Sequence, residues 1–273
     1  MHQTVSTCVV AIGAVLCAGS SEAQFRVPPP PAPGEDYKVE LGLAFWSPEP
    51  DLVIRFDDPV GPAGAGSDVD FVQEFGIAKK RFTEVRATIK PGRKHKIRFD
   101  YVPFKYDADA TIQRTFVFGG RQFTVGVPAS TAVTWDLWKF GYEWDFVSGQ
   151  TGYAGLVVDL KYSKVSAEIS SPGLGAELAE ANAPVPGIGG IARGYFTENV
   201  SVTGEFTAFK VFDRISEEID GTFYDFDVYG MVNFGRNFGL QGGYRSITVD
   251  YLREEDAGAL KMKGTYFGGV LRF

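Results

Sequence analysis

Cysteine is nearly absent from this chain, and the position of the few cysteines limits the chemistry available to the protein. Among 273 residues only Cys8 and Cys17 are cysteines, and both lie in an apolar run near the N-terminus. If that run is removed after export, the remaining protein has no thiol. A disulfide framework, a cysteine nucleophile and a cysteine-ligated metal are then excluded.

Long apolar runs and excess positive charge are missing as well. After the N-terminal stretch no run reaches the roughly 20 apolar residues that a transmembrane helix needs, and the mean hydropathy is −0.06. A membrane β-barrel stays possible, because only alternate residues of its strands meet lipid. The formal net charge of −7 disfavours a nucleic-acid partner, and none is predicted.

Two segments precede the first strand pattern. Residues 1–23 have the apolar core and small residues of a secretory signal peptide, which predicts cleavage between Ala23 and Gln24, although the segment before the core lacks Lys and Arg. Cys17 does not fit a lipoprotein cleavage site, because such a site has a small residue directly before the cysteine and Leu16 precedes Cys17. Residues 24–36 contain four consecutive prolines. They predict a Pro-rich periplasmic linker, which is either a plain spacer or a partner-binding segment.

From Tyr37 onward, apolar and polar residues alternate in segments of about ten, which is typical of membrane-spanning β-strands. Short turns separate pairs of segments at residues 91–93, 148–152, 197–199 and 235–237. Longer connections, mostly richer in Pro, Gly and acidic residues, lie near residues 48–78, 107–131, 166–187, 213–221 and 253–259. Residues 37–273 therefore predict one barrel of ten strands, with eight or twelve as alternatives, short periplasmic turns and long extracellular loops.

One of the long connections has a pattern of its own. Residues 115–125 contain two short apolar segments on either side of Gly119-Gly120, which predicts a β-hairpin. This hairpin either continues the neighbouring strands beyond the membrane or folds over the mouth of the barrel.

The last predicted strand has a pattern of apolar and aromatic residues that is typical of one protein superfamily. Phe267, Leu271 and Phe273 fall on one face of it, and an aromatic residue ends the sequence. This resembles the closing strand of bacterial outer-membrane β-barrels, including the small OmpA- and OmpW-like barrels. The resemblance implies an all-β, transmembrane, antiparallel up-and-down barrel in the outer membrane of a Gram-negative-type bacterium. It also implies that these three residues form the signal that the barrel-assembly machinery reads, and that outer-membrane lipid and lipopolysaccharide are partners.

A soluble β-sandwich would show the same alternation, because its strands also bury one face. Export, the lack of disulfides and aromatic residues near strand ends favour the membrane barrel instead. The aromatic residues expected at the membrane interfaces are Trp46, Tyr101, Trp138, Trp144, Tyr162, Tyr224, Phe234 and Phe273.

Few residues could carry catalysis. After the signal peptide the only histidine is His95, which the strand order puts at the periplasmic end beside Lys94 and Lys96, where a solvated side chain is expected. Carboxylate pairs in the outer loops, Asp107 with Asp109 or Asp57 with Asp58, leave a surface hydrolase as an alternative. The loop acids follow no calcium-loop spacing, so no metal and no cofactor is predicted.

The predicted lumen is rich in charge of both signs. Its charged residues are Glu40, Glu84, Arg86, Arg98, Asp100, Lys139, Glu143, Asp159, Lys161, Glu205, Asp227, Arg245 and Arg272. Ten strands enclose a space that side chains nearly fill, and buried charges must pair. The sequence therefore predicts a non-enzymatic, porin-like barrel with an ion-paired, mostly occluded lumen and a structural or surface role. A narrow channel for small solutes and a lateral opening at the Gly-rich residues 187–194 are alternatives, and the oligomeric state is left open.

Overall fold

A computed structural model describes residues 32–57, 66–210, 219–253 and 256–273. The two short helical elements are a 3-10 turn, Pro33–Glu35, and helix α1, Phe71–Phe75. The strands are β1 (Val39–Arg55), β2 (Val69–Asp70), β3 (Phe82–Gly92), β4 (His95–Thr111), β5 (Phe116–Phe118), β6 (Arg121–Phe123), β7 (Pro128–Gly149), β8 (Gly152–Ser171), β9 (Gly175–Tyr195), β10 (Val200–Lys210), β11 (Ile219–Phe234), β12 (Phe238–Arg253) and β13 (Asp256–Arg272). No helix in these ranges is long and apolar enough to cross a membrane.

The long strands close into one barrel. Over the described residues ten strands, namely β1, β3, β4 and β7 to β13, each pair antiparallel with their neighbours in sequence. The ring closes where β13 pairs with β1, from Glu40 opposite Arg272 to Arg55 opposite Ala257. Closure leaves no free sheet edge in that region, as lipid requires. The predicted fold and strand count are confirmed, and Leu52–Phe56 adds no strand because it continues the outer end of β1.

The periplasmic ends match the predicted short turns, whereas two outer connections are shorter than predicted. In the connection predicted near residues 253–259, β12 runs to Arg253 and β13 begins at Asp256. Between β8 and β9 only residues 172–174 lie outside strands, although residues 166–187 were expected to form a loop. The reason is that the pattern inverts along β8. Outward residues change from Leu160 and Tyr162 to Lys164, while inward residues change from Lys161 to Val165. The strand continues, but beyond Tyr162 its outer face meets water.

The outward residues mark the membrane. Large apolar side chains cover the outside of the barrel in a continuous belt; they include Leu43, Ile97, Phe140, Leu160, Phe206, Phe226, Leu240 and Phe267. The prediction for Trp46 as an interface residue is wrong. Trp46 is fully buried inside the barrel, where its Nε1 donates to the carbonyl of Gly264 at 3.1 Å, because its position falls on the inward phase of β1.

The outer end is covered by α1 and by the predicted hairpin, formed by β5 and β6. Asp70 caps α1 by accepting from the amides of Val72 and Gln73. Phe116, Phe118 and Phe123 of the hairpin are buried in the same apolar core as α1. Of the two alternatives for residues 115–125, the structure shows the second: β4 ends at Thr111 and β7 begins at Pro128, and the hairpin between them is a separate two-stranded sheet that folds over the mouth.

Candidate functional site

The interior of the barrel is the site with the densest chemistry. All thirteen charged residues that the sequence assigned to the lumen direct their side chains inward, where most are buried. Together with further charged residues they form two groups at different levels of the barrel. The group near the periplasmic end, here called the periplasmic cluster, consists of Glu35, Lys90, Lys96, Glu143, Asp145 and Arg193. The group at mid-height, here called the central network, consists of Glu84, Arg86, Arg98, Asp100, Lys139, Asp159, Lys161, Glu205, Asp225, Asp227 and Arg245. The remaining pair, Glu40 and Arg272, lies where β1 meets β13, with Arg272 Nε 2.5 Å from Glu40 Oε2.

Arg245 is the centre of the central network. Its Nε and Nη2 donate to the two carboxylate oxygens of Asp225 at 3.0 and 2.9 Å, and its Nη1 pairs with Glu84. Lys139 Nζ lies 2.8 Å from Glu205 Oε1 and 3.5 Å from Asp225 Oδ2. Bidentate and shared contacts of this kind offset the cost of removing the charges from water.

Arginines link the network across the barrel. Arg98 bridges Glu205 of β10 and Glu143 of β7, at 2.7 and 3.2 Å. Arg86 on β3 pairs with Asp227 on β11 at 3.0 Å, and Tyr266 donates its hydroxyl to the same carboxylate at 2.8 Å. Strands distant in the ring are thus joined through the lumen.

The sequence missed several members of these groups. Lys96, Asp145 and Asp225 share the inward phase of their strands, so alternation alone could have identified them. Lys96 is buried, and its Nζ lies 2.6 Å from Glu143 Oε1 and 3.1 Å from Asp145 Oδ2. Arg193 also lies on an inward position, of the Gly-rich β9.

Glu35 is the member that no strand pattern could reveal, because it belongs to the predicted linker. Its Oε1 accepts from Arg193 Nη1 at 2.7 Å and from the Tyr195 hydroxyl at 3.1 Å. Lys90 Nζ lies 3.2 Å from Oε2 and also donates to the Glu35 carbonyl at 2.7 Å. The last residues of the segment 24–36 therefore lie inside the periplasmic mouth of the barrel. This part of the segment is bound to the barrel and does not act as a plain spacer. The predicted signal peptide, its cleavage pair and residues 24–31 lie outside the described residues.

The charge around Glu35 controls its protonation. Burial raises the pKa of this carboxyl, but Lys96, Arg193 and Lys90 outweigh burial and lower the pKa from 4.5 to about 2. Glu35 is consequently an anion at neutral pH, paired with the cations around it.

Aromatic residues fill the outer half of the lumen. Phe104 lies 5.0 Å from Trp135, 5.1 Å from Phe82 and 5.4 Å from Trp46, measured between ring centres. Trp135 donates its Nε1 to Ser163 Oγ at 2.8 Å. Below this outer aromatic core a cavity of about 40 Å³ lies among Tyr153 and the charged side chains, room for one or two water molecules.

The sequence-based catalytic candidates do not form a site. His95 is exposed at the periplasmic end, with its Nδ1 2.6 Å from the Tyr142 hydroxyl. Asp107 and Asp109 are on the outward phase of β4, where Asp109 accepts from Ser130 Oγ at 2.5 Å. Asp57 is buried and accepts from the Gly66 amide, whereas Asp58 lies outside the described residues.

Acidic residues also fail to assemble into a metal site. In the described ranges no group of three or more His, Cys, Asp or Glu residues could hold an ion. Three of the loop acids have structural contacts instead. Asp68 pairs with Arg55, Asp70 caps α1, and Asp256 accepts from the Asp57 amide at 2.9 Å.

Comparison with known proteins identifies a shared fold but no family to which the chain belongs. No known family matches the sequence, and no curated protein does. Among solved structures, the outer-membrane protease OmpT of Escherichia coli superimposes with a TM-score of 0.57 at 10% identity, covering 86% of this chain and 97% of that one. The chain has the fold of a bacterial outer-membrane β-barrel. The apolar belt on its outside is the surface that such a fold presents to lipid.

Two further structures match less well. Ail of Yersinia pestis, solved with the heparin analogue sucrose octasulfate, gives a TM-score of 0.40 at 8% identity, covering 86% of this chain and 99% of that one. The Pseudomonas putida toluene transporter TodX gives 0.34 at 8% identity, covering 86% and 90%. The three barrels differ in role, so the likeness establishes architecture alone.

Acid should release the N-terminal segment. Because the pKa of Glu35 is lowered on docking, its stabilisation is complete above about pH 4.5 and is lost as the pH falls toward 2. The shift corresponds to on the order of 3 kcal/mol. A nitroxide label on Asp36→Cys, an exposed site at the mouth, should become mobile over this pH range. Glu35→Gln should make the label mobile at pH 7.

The matched control is Glu198→Gln, which removes an exposed acid from another periplasmic turn and should leave the label immobile at pH 7. An immobile label in Glu35→Gln at neutral pH would show that the carboxylate does not hold the segment.

Removing the central arginine should destabilise the barrel. Arg245→Met leaves Asp225 and Glu84 without their main partner, which should cost about 3–5 kcal/mol. Urea unfolding in lipid vesicles, followed by tryptophan fluorescence, measures the change. Arg236→Met is the control, because Arg236 is an exposed residue whose pair with Asp36 should contribute about 0–1 kcal/mol. Equal stability of the two variants would contradict the assigned importance of the network.

Proposed function

We propose that this protein is a non-enzymatic, non-conducting outer-membrane barrel that holds a rigid, capped surface above the membrane. The observation that carries the proposal is the filling of the lumen at three successive levels. The periplasmic cluster, the central network and the outer aromatic core each occupy the cross-section with buried side chains.

The height of the wall supports a surface role. On β8 the outward residues from Lys164 to Ser170 lie beyond the apolar belt, and on β7 the outward residues from Asp136 to Ser130 do so. About 8 residues at 3.3 Å each, tilted by roughly 40°, raise the rim about 20 Å above the lipid. The cap of α1 and the hairpin is then presented well away from the membrane.

The alternatives have less support from the structure. A narrow porin needs a continuous aqueous path, whereas the central charges pair with one another at distances of no more than 3.9 Å. A loop hydrolase would require acids that converge, and Asp107 and Asp109 face outward. A lateral opening would require a gap in β9, but β9 pairs with both β8 and β10 from Ile188 to Gly194.

Planar-bilayer recording tests the closed lumen. The purified mature chain, shown to be folded by its faster migration on unboiled gels, should give no steady nanosiemens conductance. Glu35→Gln should also stay closed, because two filled levels are left above it. A steady open conductance in the unmodified protein would make it a porin and overturn the proposal.

We further propose that the C-terminal residues Phe267, Leu271 and Phe273 direct assembly. Phe267 and Leu271 lie on β13 and Phe273 directly follows it. All three are about half exposed or more on the outside of the barrel, where they are not needed to fill its interior. Phe273→Ala should reduce the amount of barrel in the outer membrane several-fold, measured by membrane fractionation, while spontaneous folding into detergent micelles is unchanged.

Phe234→Ala is the control, because Phe234 is also lipid-facing at the periplasmic end of a strand but lies outside the final strand. Equal losses in the two variants would indicate a general need for interface aromatics and would refute a specific terminal signal.

A further inference from the structure

A group of basic side chains lies on the outside of the barrel, at the outer edge of the apolar belt. Its members, here called the belt-edge cluster, are Lys79, Lys80, Arg81 and Lys105, and all four are exposed. They stand out on a protein whose formal net charge is −7.

Contacts fix the height of this cluster. The Arg81 guanidinium carbon lies 5.9 Å from the ring centre of Phe267, which is a lipid-facing residue and 55% exposed. On β13 Phe267 is the last large apolar residue facing outward before Thr265 and Lys263. Arg81 therefore lies where the hydrocarbon ends and lipid headgroups begin.

The strand register brings the remaining cations to the same level. Val85 on β3 lies opposite Tyr101 on β4, and continuing this register outward by four residues places Arg81 level with Lys105. Lys80 Nζ donates to the Lys105 carbonyl at 2.6 Å, so the two segments touch there. Lys80 and Arg81 are thereby held beside Lys105.

The cluster is incompletely neutralised by the protein. Lys105 Nζ lies 3.8 Å from Asp107 Oδ1, and both side chains are more than half exposed, so this pair is weak. Across the described part of the chain no carboxylate lies within 4.0 Å of Arg81. The exposed cations lie at the level of the lipid headgroups, and the apolar belt lies directly below them. This arrangement is complementary to a lipid whose headgroup carries phosphate and whose acyl chains contact the belt.

We propose that the belt-edge cluster binds the phosphate groups of the phosphorylated glycolipid of the outer leaflet, lipopolysaccharide. The position at the outer end of the belt selects this lipid over the phospholipids of the inner leaflet. Several cations within a few residues suit a headgroup that carries more than one phosphate. The acyl chains would lie on the belt around Phe45 and Phe267, whose rings are 5.5 Å apart.

Native mass spectrometry of the full barrel in detergent tests this site with three added lipids: bisphosphorylated lipid A, the same lipid without phosphates, and phosphatidylglycerol. The unmodified protein should bind bisphosphorylated lipid A at least tenfold more tightly than the other two. Arg81→Gln combined with Lys105→Gln should weaken that binding about thirtyfold, from the loss of two cations near the headgroups.

The matched control is Lys164→Gln combined with Lys210→Gln, which removes two outward cations from β8 and β10 and should change binding less than twofold. Both double variants should keep the gel migration of a folded barrel. Unchanged binding in Arg81→Gln/Lys105→Gln, or equal binding of dephosphorylated lipid A, would overturn the proposal. Equally tight phosphatidylglycerol would assign the cluster to any anionic lipid and would also overturn it. The test does not depend on lumen closure, so a conducting barrel would leave it valid.

Discussion

The pairing of β13 with β1 is the contact on which the rest of the molecule depends. Inside lipid an unpaired backbone amide or carbonyl has no water to bond, so a sheet is stable there only as a ring. The register from Glu40 with Arg272 to Arg55 with Ala257 closes that ring along almost the full length of both strands. Once the ring is closed, each strand residue within the membrane faces either lipid or the lumen.

Those environments explain why so many charges are buried in a protein of this size. With lipid outside, polar side chains on the membrane-spanning parts of the strands face inward, where ten strands leave little room for water. In the lumen the charges form ion pairs with one another, and this pairing offsets the free-energy cost of removing them from water. Arg245, Arg98 and Arg86 each contact carboxylates from two different positions in the ring, so the network also resists deformation of the barrel cross-section.

Above the membrane the polarity of the two faces is reversed on the same strands: the inward face is apolar and the outward face meets water. The inward face turns apolar at Val165 on β8, and the aromatic residues around Phe104 form a core like that of a soluble protein. This inversion accounts for the protruding wall and for the cap, because α1 and the hairpin have an apolar surface on which to pack. It also gives the outer edge of the belt a sharp chemical boundary, where Arg81 lies over Phe267.

The alternation of apolar and polar residues predicted the barrel, its ten strands, its orientation and thirteen inward charges, because alternation is a local property of each strand. It failed where position depends on distant partners. Residues 166–187 resemble a loop only if the apolar phase is assumed constant, and Glu35 has no strand phase at all. The tertiary structure decided which charges pair, that the linker enters the mouth, and that aromatic residues close the outer lumen, since these follow from which strands face one another across the ring.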